Sequence, residues 1–74
     1  MKTKINNVIA KIANRAPEDI HAGLELHGDL RIGWAESIDL EAILEGEMDM
    51  ELPDNAWSEW VTVGDVYRYY GVAA

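Results

Sequence analysis

The sequence Val61-Thr62-Val63-Gly64-Asp65-Val66 marks the start of the last helix of the chain. Thr62 is a favoured residue at a helix N-cap, and Asp65 stands where a capping box places its reciprocal partner, with Asp instead of the usual Glu. Gly71 is suited to end the helix. The apolar side chains between these two points are spaced to form one helical face, and they are Val63, Val66, Tyr67 and Tyr70.

Two further helical segments precede this one. The extended stretch Met50-Glu51-Leu52-Pro53-Asp54 leads to Pro53, which suits the first position of a short helix over residues 53–58. Before it, we predict a longer helix that begins between Gly33 and Glu36 and runs to about Glu47. Its expected buried stripe consists of Ile38, Ile43, Leu44 and Met48, widened by Leu40 and Ala42.

The first part of the chain predicts one more helix and a long loop. Thr3 could cap a helix that runs to about Asn14, with a stripe of Ile5, Val8, Ile9 and Ile12. Residues 17–32 then form a long ordered loop, a kind of connection that is uncommon in a small domain and often functional. The sequence therefore predicts an all-α bundle in a single domain, residues 1–74, with three main helices, one short helix and a long first loop.

The charge of the chain limits its partners. The formal net charge is −8, and the stretch from Glu36 to Asp54 contains eight acidic residues and no Lys or Arg. Phosphate backbones repel such a surface, so we expect no nucleic-acid binding. The acidic stretch is either a solvated face or an electrostatic docking surface for basic proteins. No apolar run is long enough to span a bilayer and no signal peptide is present, so we expect a cytoplasmic protein that does not enter membranes.

No arrangement of residues suggests catalysis. The chain has no Cys, and its two histidines, His21 and His27, both fall in the long loop. No nucleophile stands beside a base, and no glycine-rich phosphate loop is present. We therefore expect no enzyme activity and no metal site.

The phrases quoted above resemble those of acyl carrier proteins. Residues 50–54 are similar to that family's Ile-Glu-Ile-Pro-Asp, and residues 61–65 are similar to its Thr-Thr-Val-Gly-Asp. Asp29-Leu30 resembles the Asp-Leu-Gly that ends the family's long loop. The three phrases keep the family's spacing without insertion or deletion, and the match covers residues 5–70. The resemblance implies the acyl-carrier-protein-like four-helix bundle.

The resemblance also implies a 4′-phosphopantetheine arm, which the family attaches to a serine in Asp-Ser-Leu at the start of helix II. Without gaps, that serine falls on Trp34, flanked by Gly33 and Ala35, and Trp cannot carry the arm. Three residues later, Ala35-Glu36-Ser37-Ile38-Asp39 is similar to the family's Ala-Asp-Ser-Leu-Asp. A site at Ser37 requires a longer loop and a helix that starts near Glu36. A helix that starts at Gly33 or Trp34 leaves Ser37 as an ordinary first-turn residue.

Two functions follow from the resemblance. In the first, Ser37 bears phosphopantetheine, added by a phosphopantetheinyl transferase, and the protein carries acyl groups in fatty-acid, polyketide or related biosynthesis. In the alternative, the chain is a carrier-like interaction module without the arm. In both, we expect a monomer that docks onto basic surfaces of partner proteins through residues at the start and along the face of helix II, namely Trp34, Glu36, Asp39, Glu41 and Glu45.

Overall fold

A computed structural model describes residues 1–53 and 55–72. It contains three α-helices, α1 at Lys2–Ala13, α2 at Trp34–Met48 and α3 at Val63–Tyr69, and two short 3-10 turns at Pro17–Asp19 and Ala56–Glu59. The all-α fold with three main helices is thus confirmed. None of the helices in the described part of the chain has the length and apolar character that crossing a bilayer requires.

The predicted short helix differs from the observed one. The observed element is a 3-10 turn that begins at Ala56 and not at Pro53. The Ala56 N–H donates to the carbonyl oxygen of Pro53 at 3.0 Å, which closes a separate turn before it. Asp54, which belongs to the predicted helix and to the phrase 50–54, lies outside the described residues.

The first helix packs with the predicted stripe toward the core, since Ile5, Val8 and Ile9 are buried and Ile12 is half-buried. It begins at Lys2, without a side-chain cap, so the prediction that Thr3 caps it is wrong. Asn14 ends the helix in the left-handed conformation, with φ 58°, a conformation that Asn tolerates better than most residues.

The capping box of α3 is confirmed. Thr62 Oγ1 accepts the Asp65 N–H at 3.2 Å, and Asp65 Oδ2 accepts the Thr62 N–H at 2.9 Å. Two N–H groups that the helix itself leaves without partners are satisfied in this way. The helix ends at Tyr69, two residues before Gly71, whose φ of 70° suits glycine.

The long loop is fixed to the start of α3 by backbone hydrogen bonds. The Leu26 N–H donates to Val61 O and the Val63 N–H donates to Leu24 O, each at 2.9 Å. The Gly64 N–H donates to Ala22 O at 3.0 Å, and a Cβ at Gly64 would lie only 3.2 Å from the same oxygen. The loop is therefore ordered, as predicted, because it pairs with the chain around the α3 cap.

The second helix is rotated relative to its predicted stripe. Leu40 and Leu44 are completely buried, whereas Ile38 and Ile43 are 47% and 43% exposed. The prediction that Ile38 and Ile43 face the core is wrong. Apolar residues occur all around α2, so their spacing alone does not define which face packs on α1.

Two tyrosines of α3 and its cap are buried. The Tyr67 hydroxyl donates to Asn6 Oδ1, and its pKa is raised by burial, an effect that this bond reduces. Tyr70 is 5% exposed and its hydroxyl has no hydrogen-bond partner among the described residues. Burial raises the pKa of Tyr70 to about 12, with smaller contributions from the Glu45 and Glu41 carboxylates. Folded Tyr70 therefore keeps its proton to a higher pH than an exposed tyrosine does.

The orientation of α2 predicts that alanine substitutions at two adjacent residues lower the free energy of unfolding by different amounts. Leu44→Ala should lower the free energy of unfolding by about 2–5 kcal/mol, since it opens a cavity in a closely packed core. Ile43→Ala should change it by less than about 1 kcal/mol, because that side chain is largely solvated. Urea unfolding of both variants measures the difference, and equal losses would contradict the observed rotation.

The raised pKa of Tyr70 predicts a loss of stability in alkali. An unfolded tyrosine ionises near pH 10.0, whereas folded Tyr70 holds its proton to about 12. Between these values the unfolded chain binds fewer protons, so the free energy of unfolding falls as the pH rises. The free energy of unfolding of Tyr70→Phe should therefore decrease less steeply with pH than that of the wild type. Urea unfolding at pH values on either side of 10 measures both. Parallel curves would show that Tyr70 does not titrate in this way.

Candidate functional site

The start of α2 is fixed by its own backbone. Gly33 is the N-cap, and its carbonyl accepts the Ser37 N–H at 2.9 Å. The Glu36 carboxylate reaches back to accept the Gly33 N–H at 3.0 Å, which is the side-chain half of a capping box. Trp34 is therefore the first residue of the helix. This start is the one that the gapless match to carrier proteins predicts.

The end of the long loop directs the chain into this helix. Arg31 has a φ of 59°, an uncommon backbone conformation for a bulky residue. The turn that contains it is closed by the Ile32 N–H, which donates to Leu26 O at 2.8 Å. The Ile32 carbonyl in turn accepts a hydrogen bond from His27 Nδ1. These bonds hold the His27 ring at the beginning of α2.

Trp34 lies in a cluster of three aromatic side chains. Its ring centroid is 4.4 Å from that of His27, at an interplanar angle of 45°, and 5.7 Å from that of Trp57, in an edge-to-face arrangement. Both distances are typical of favourable aromatic pairs. Trp34 nevertheless remains 62% exposed. The surface therefore presents a large indole whose orientation is set by its two neighbours.

Ser37 is placed inside the protein. It is 1% exposed, and its Oγ has no hydrogen-bond partner among the described residues. The prediction that Ser37 carries the arm required a helix start near Glu36 that would expose this hydroxyl. The helix starts two residues earlier, and the side chain turns toward the core between α2 and its neighbours. A transferase cannot reach it in this conformation.

The predicted docking carboxylates divide into two groups. Glu36 and Asp39 are exposed, as a docking role requires. Glu41 is only 7% exposed, and its Oε1 accepts the Trp57 N–H at 3.3 Å. Glu45 is half-buried and accepts the Leu52 N–H at 3.1 Å. The last two hold the segment after α2 in place, and this corrects the expectation that Glu41 belongs to an exposed acidic face.

The sequence did not predict the partners of Trp34. Trp57 is partly buried against the core as well as in contact with Trp34, and His27 carries no sequence signal for its contact. Both reach Trp34 only through tertiary structure, because His27 lies 7 positions before Trp34 and Trp57 lies 23 positions after it in the sequence. Within residues 1–53 and 55–72, no group of three His, Asp or Glu side chains converges as a metal site would require.

Comparisons with known proteins bear on the fold and the family of the chain. No protein-family model matches the sequence. Among solved structures, the chain is similar to Rv0033 from Mycobacterium tuberculosis, a provisionally assigned acyl carrier protein. The two share 30% sequence identity with a TM-score of 0.81, over 93% of this chain and 92% of the other. An identity of this size over nearly both whole chains shows common membership. The chain belongs to the acyl carrier protein family.

Proposed function

We propose that this family member is a docking domain that works without a phosphopantetheine arm. It recognises a basic surface on a partner protein through Trp34, Glu36 and Asp39, and it catalyses no reaction itself. The observation that carries the proposal is the first turn of α2. Trp34 begins the helix, at the position that the gapless match assigns to the family's serine, and the nearest hydroxyl in the sequence, that of Ser37, is buried.

The residues present do not fit the prosthetic group. Attachment needs a hydroxyl that is exposed and lies at the helix N-terminus, where free N–H groups and the helix dipole stabilise a phosphodiester. Trp34 has the position but no hydroxyl. Ser37 has the hydroxyl but its Oγ is enclosed by the protein. Neither residue combines the two requirements.

The exposed groups fit a cationic partner instead. A guanidinium or ammonium group gains from contact with an indole face, and an arginine also pairs with carboxylates in a fixed geometry. Glu36 and Asp39 lie in the first two turns of α2, as Trp34 does, but project from the other side of the helix. The helix contains no Lys or Arg that could neutralise them. Tryptophan is also enriched among the residues that contribute most to protein interfaces. A partner of an acyl-processing pathway that presents arginines would meet these requirements.

The interior also favours binding over acyl storage. A carrier that shelters an acyl chain needs apolar space beside helix II. Here the buried face of α2 includes the Glu41 carboxylate, and Trp60 and Tyr70 fill the core with large side chains. A carboxylate lining such a site would disfavour a hydrocarbon chain.

The proposal predicts that the wild-type protein cannot be loaded. We expect no gain of mass after incubation with coenzyme A, Mg²⁺ and a promiscuous phosphopantetheinyl transferase. The triple variant Gly33→Asp, Trp34→Ser, Ala35→Leu restores Asp-Ser-Leu at the helix start and should gain one phosphopantetheine. Intact-mass spectrometry reads both results, with a conventional carrier protein modified in the same tube.

The same experiment can overturn the proposal. A gain of one phosphopantetheine by the wild type that is lost in Ser37→Ala would establish an armed carrier. It would also show that α2 opens far enough to expose Ser37. If neither the wild type nor the triple variant were loaded, the docking proposal would stand. Residues outside 33–35 would then also differ from those that a transferase recognises.

A second prediction concerns the docking surface. When the immobilised domain is incubated with extract of its source cells, Trp34→Ala should strongly reduce the recovery of bound basic proteins, because the indole supplies the apolar contact. Val61→Ala is the matched control, since Val61 is 57% exposed against 62% for Trp34 and lies at the α3 cap. Quantitative mass spectrometry compares the three samples. Equal losses in both variants would contradict a site centred on Trp34.

A further inference from the structure

A second surface of the protein lies along the junction of α1 and α2. Two hollows open there. The acidic hollow, of about 370 Å³, is lined by Ile12, Glu36, Asp39, Ala42 and Ile43. The lysine hollow, of about 150 Å³, is lined by Lys4, Asn7, Val8, Lys11, Ile43 and Glu47. Ile43 belongs to both, so the two hollows meet at this side chain.

This surface shares Glu36 and Asp39 with the proposed docking site but does not include Trp34. Ile43 follows Trp34 by nine residues, which is about two and a half helical turns, so the two side chains leave α2 in opposite directions. Ile43 is 43% exposed although it is flanked by the apolar residues Val8 and Ile12 of α1. An isoleucine exposed to this extent beside two apolar side chains, with charged residues around them, is suited to contact another surface.

The two helices that form the groove carry charges of opposite sign. The charged residues of α1 are the three lysines Lys2, Lys4 and Lys11, and those of α2 are five carboxylates. The two helices lie side by side, yet the ion pair found among the described residues, Arg68 with Asp65, is elsewhere. Lys4 and Lys11 therefore line one end of the groove without a carboxylate partner in residues 1–53 and 55–72.

We infer that a second copy of this chain docks on the α1–α2 groove. A two-fold axis through the neighbourhood of Ile43 places the acidic hollow of one copy on the lysine hollow of the other. Such an interface is self-complementary, since each contact occurs twice. Ile43 meets Ile43 of the second copy at the centre, with Asp39 facing Lys11 on both sides. No other protein needs to be invoked, because the chain supplies both halves of the charge pattern.

An interface confined to this groove should be small, so the association should be weak. Weak transient interfaces bury less than about 1,200 Å² in total, or about 600 Å² from each partner. That is roughly one seventh of the 4388 Å² surface of this chain. The net charge of −8 also opposes pairing, although at physiological ionic strength repulsion is screened beyond about 8 Å. The protein should therefore be a monomer at micromolar concentration and a dimer near millimolar concentration.

A charge exchange tests the inference directly. Lys11→Glu and Asp39→Lys each bring like charges together in the proposed dimer, so each variant alone should associate at least about threefold more weakly than the wild type. In an equimolar mixture the two variants pair opposite charges at both contacts, and heterodimers should form as readily as the wild-type dimer. Sedimentation equilibrium at physiological ionic strength measures all three samples, after circular dichroism has shown that each is folded.

Two isoleucines of α2 supply a matched control. Ile43→Ser should abolish dimerisation, whereas Ile38→Ser, at a residue 47% exposed and away from the groove, should leave it unchanged. A wild-type protein that stays monomeric at millimolar concentration would overturn the inference, as would a mixture of the two charge variants that associates no better than either alone. These results do not depend on the proposed docking function, which loading with phosphopantetheine and capture through Trp34 test separately.

Discussion

The structure depends on the pairing of the long loop with the segment that caps α3. The hydrogen bonds between Leu26 and Val61 and between Val63 and Leu24 join two stretches that are more than thirty residues apart in sequence. A loop of this length would otherwise keep a large conformational entropy and leave buried backbone groups without partners. Once Leu26 is held in the core, the Leu26–Ile32 turn follows, and that turn determines where α2 begins. The exposure of Trp34 and the burial of Ser37 are both consequences of this one junction.

The features that the sequence predicted well are those that local chemistry controls. The α3 cap needs only a Thr and an Asp three residues apart, and the stripe of α1 is clear because polar residues fill its other faces. The rotation of α2 could not be predicted in this way. Ile38 and Ile43 are as apolar as Leu40 and Leu44, and the difference between them arises from packing against α1. The start of α2 was ambiguous for a similar reason, since Gly33 and Glu36 are both acceptable near a helix N-terminus.

The candidate site was predicted only in part. Trp34 stood out because the gapless match sets it where the family has a serine, and its exposed position agrees with a surface role. The internal use of Glu41 was not predictable, because the N–H that it binds belongs to Trp57, sixteen residues away. His27 likewise gains its place beside Trp34 from a turn that long-range hydrogen bonds create. From sequence alone, a carboxylate in a run of acidic residues is expected to be solvated. Only the fold shows that it accepts hydrogen bonds from backbone N–H groups.

The separation of charge between α1 and α2 also affects how the protein moves before it touches anything. Cations on one helix and anions on its neighbour contribute an electric dipole moment in addition to the net charge. In the electric field of a positively charged partner, such a molecule experiences a torque as well as a force. The torque turns its anionic side toward the partner while the two are still diffusing. A larger fraction of encounters then occurs in an orientation that allows binding. Association is therefore faster than it would be if the same charges were evenly distributed over the surface.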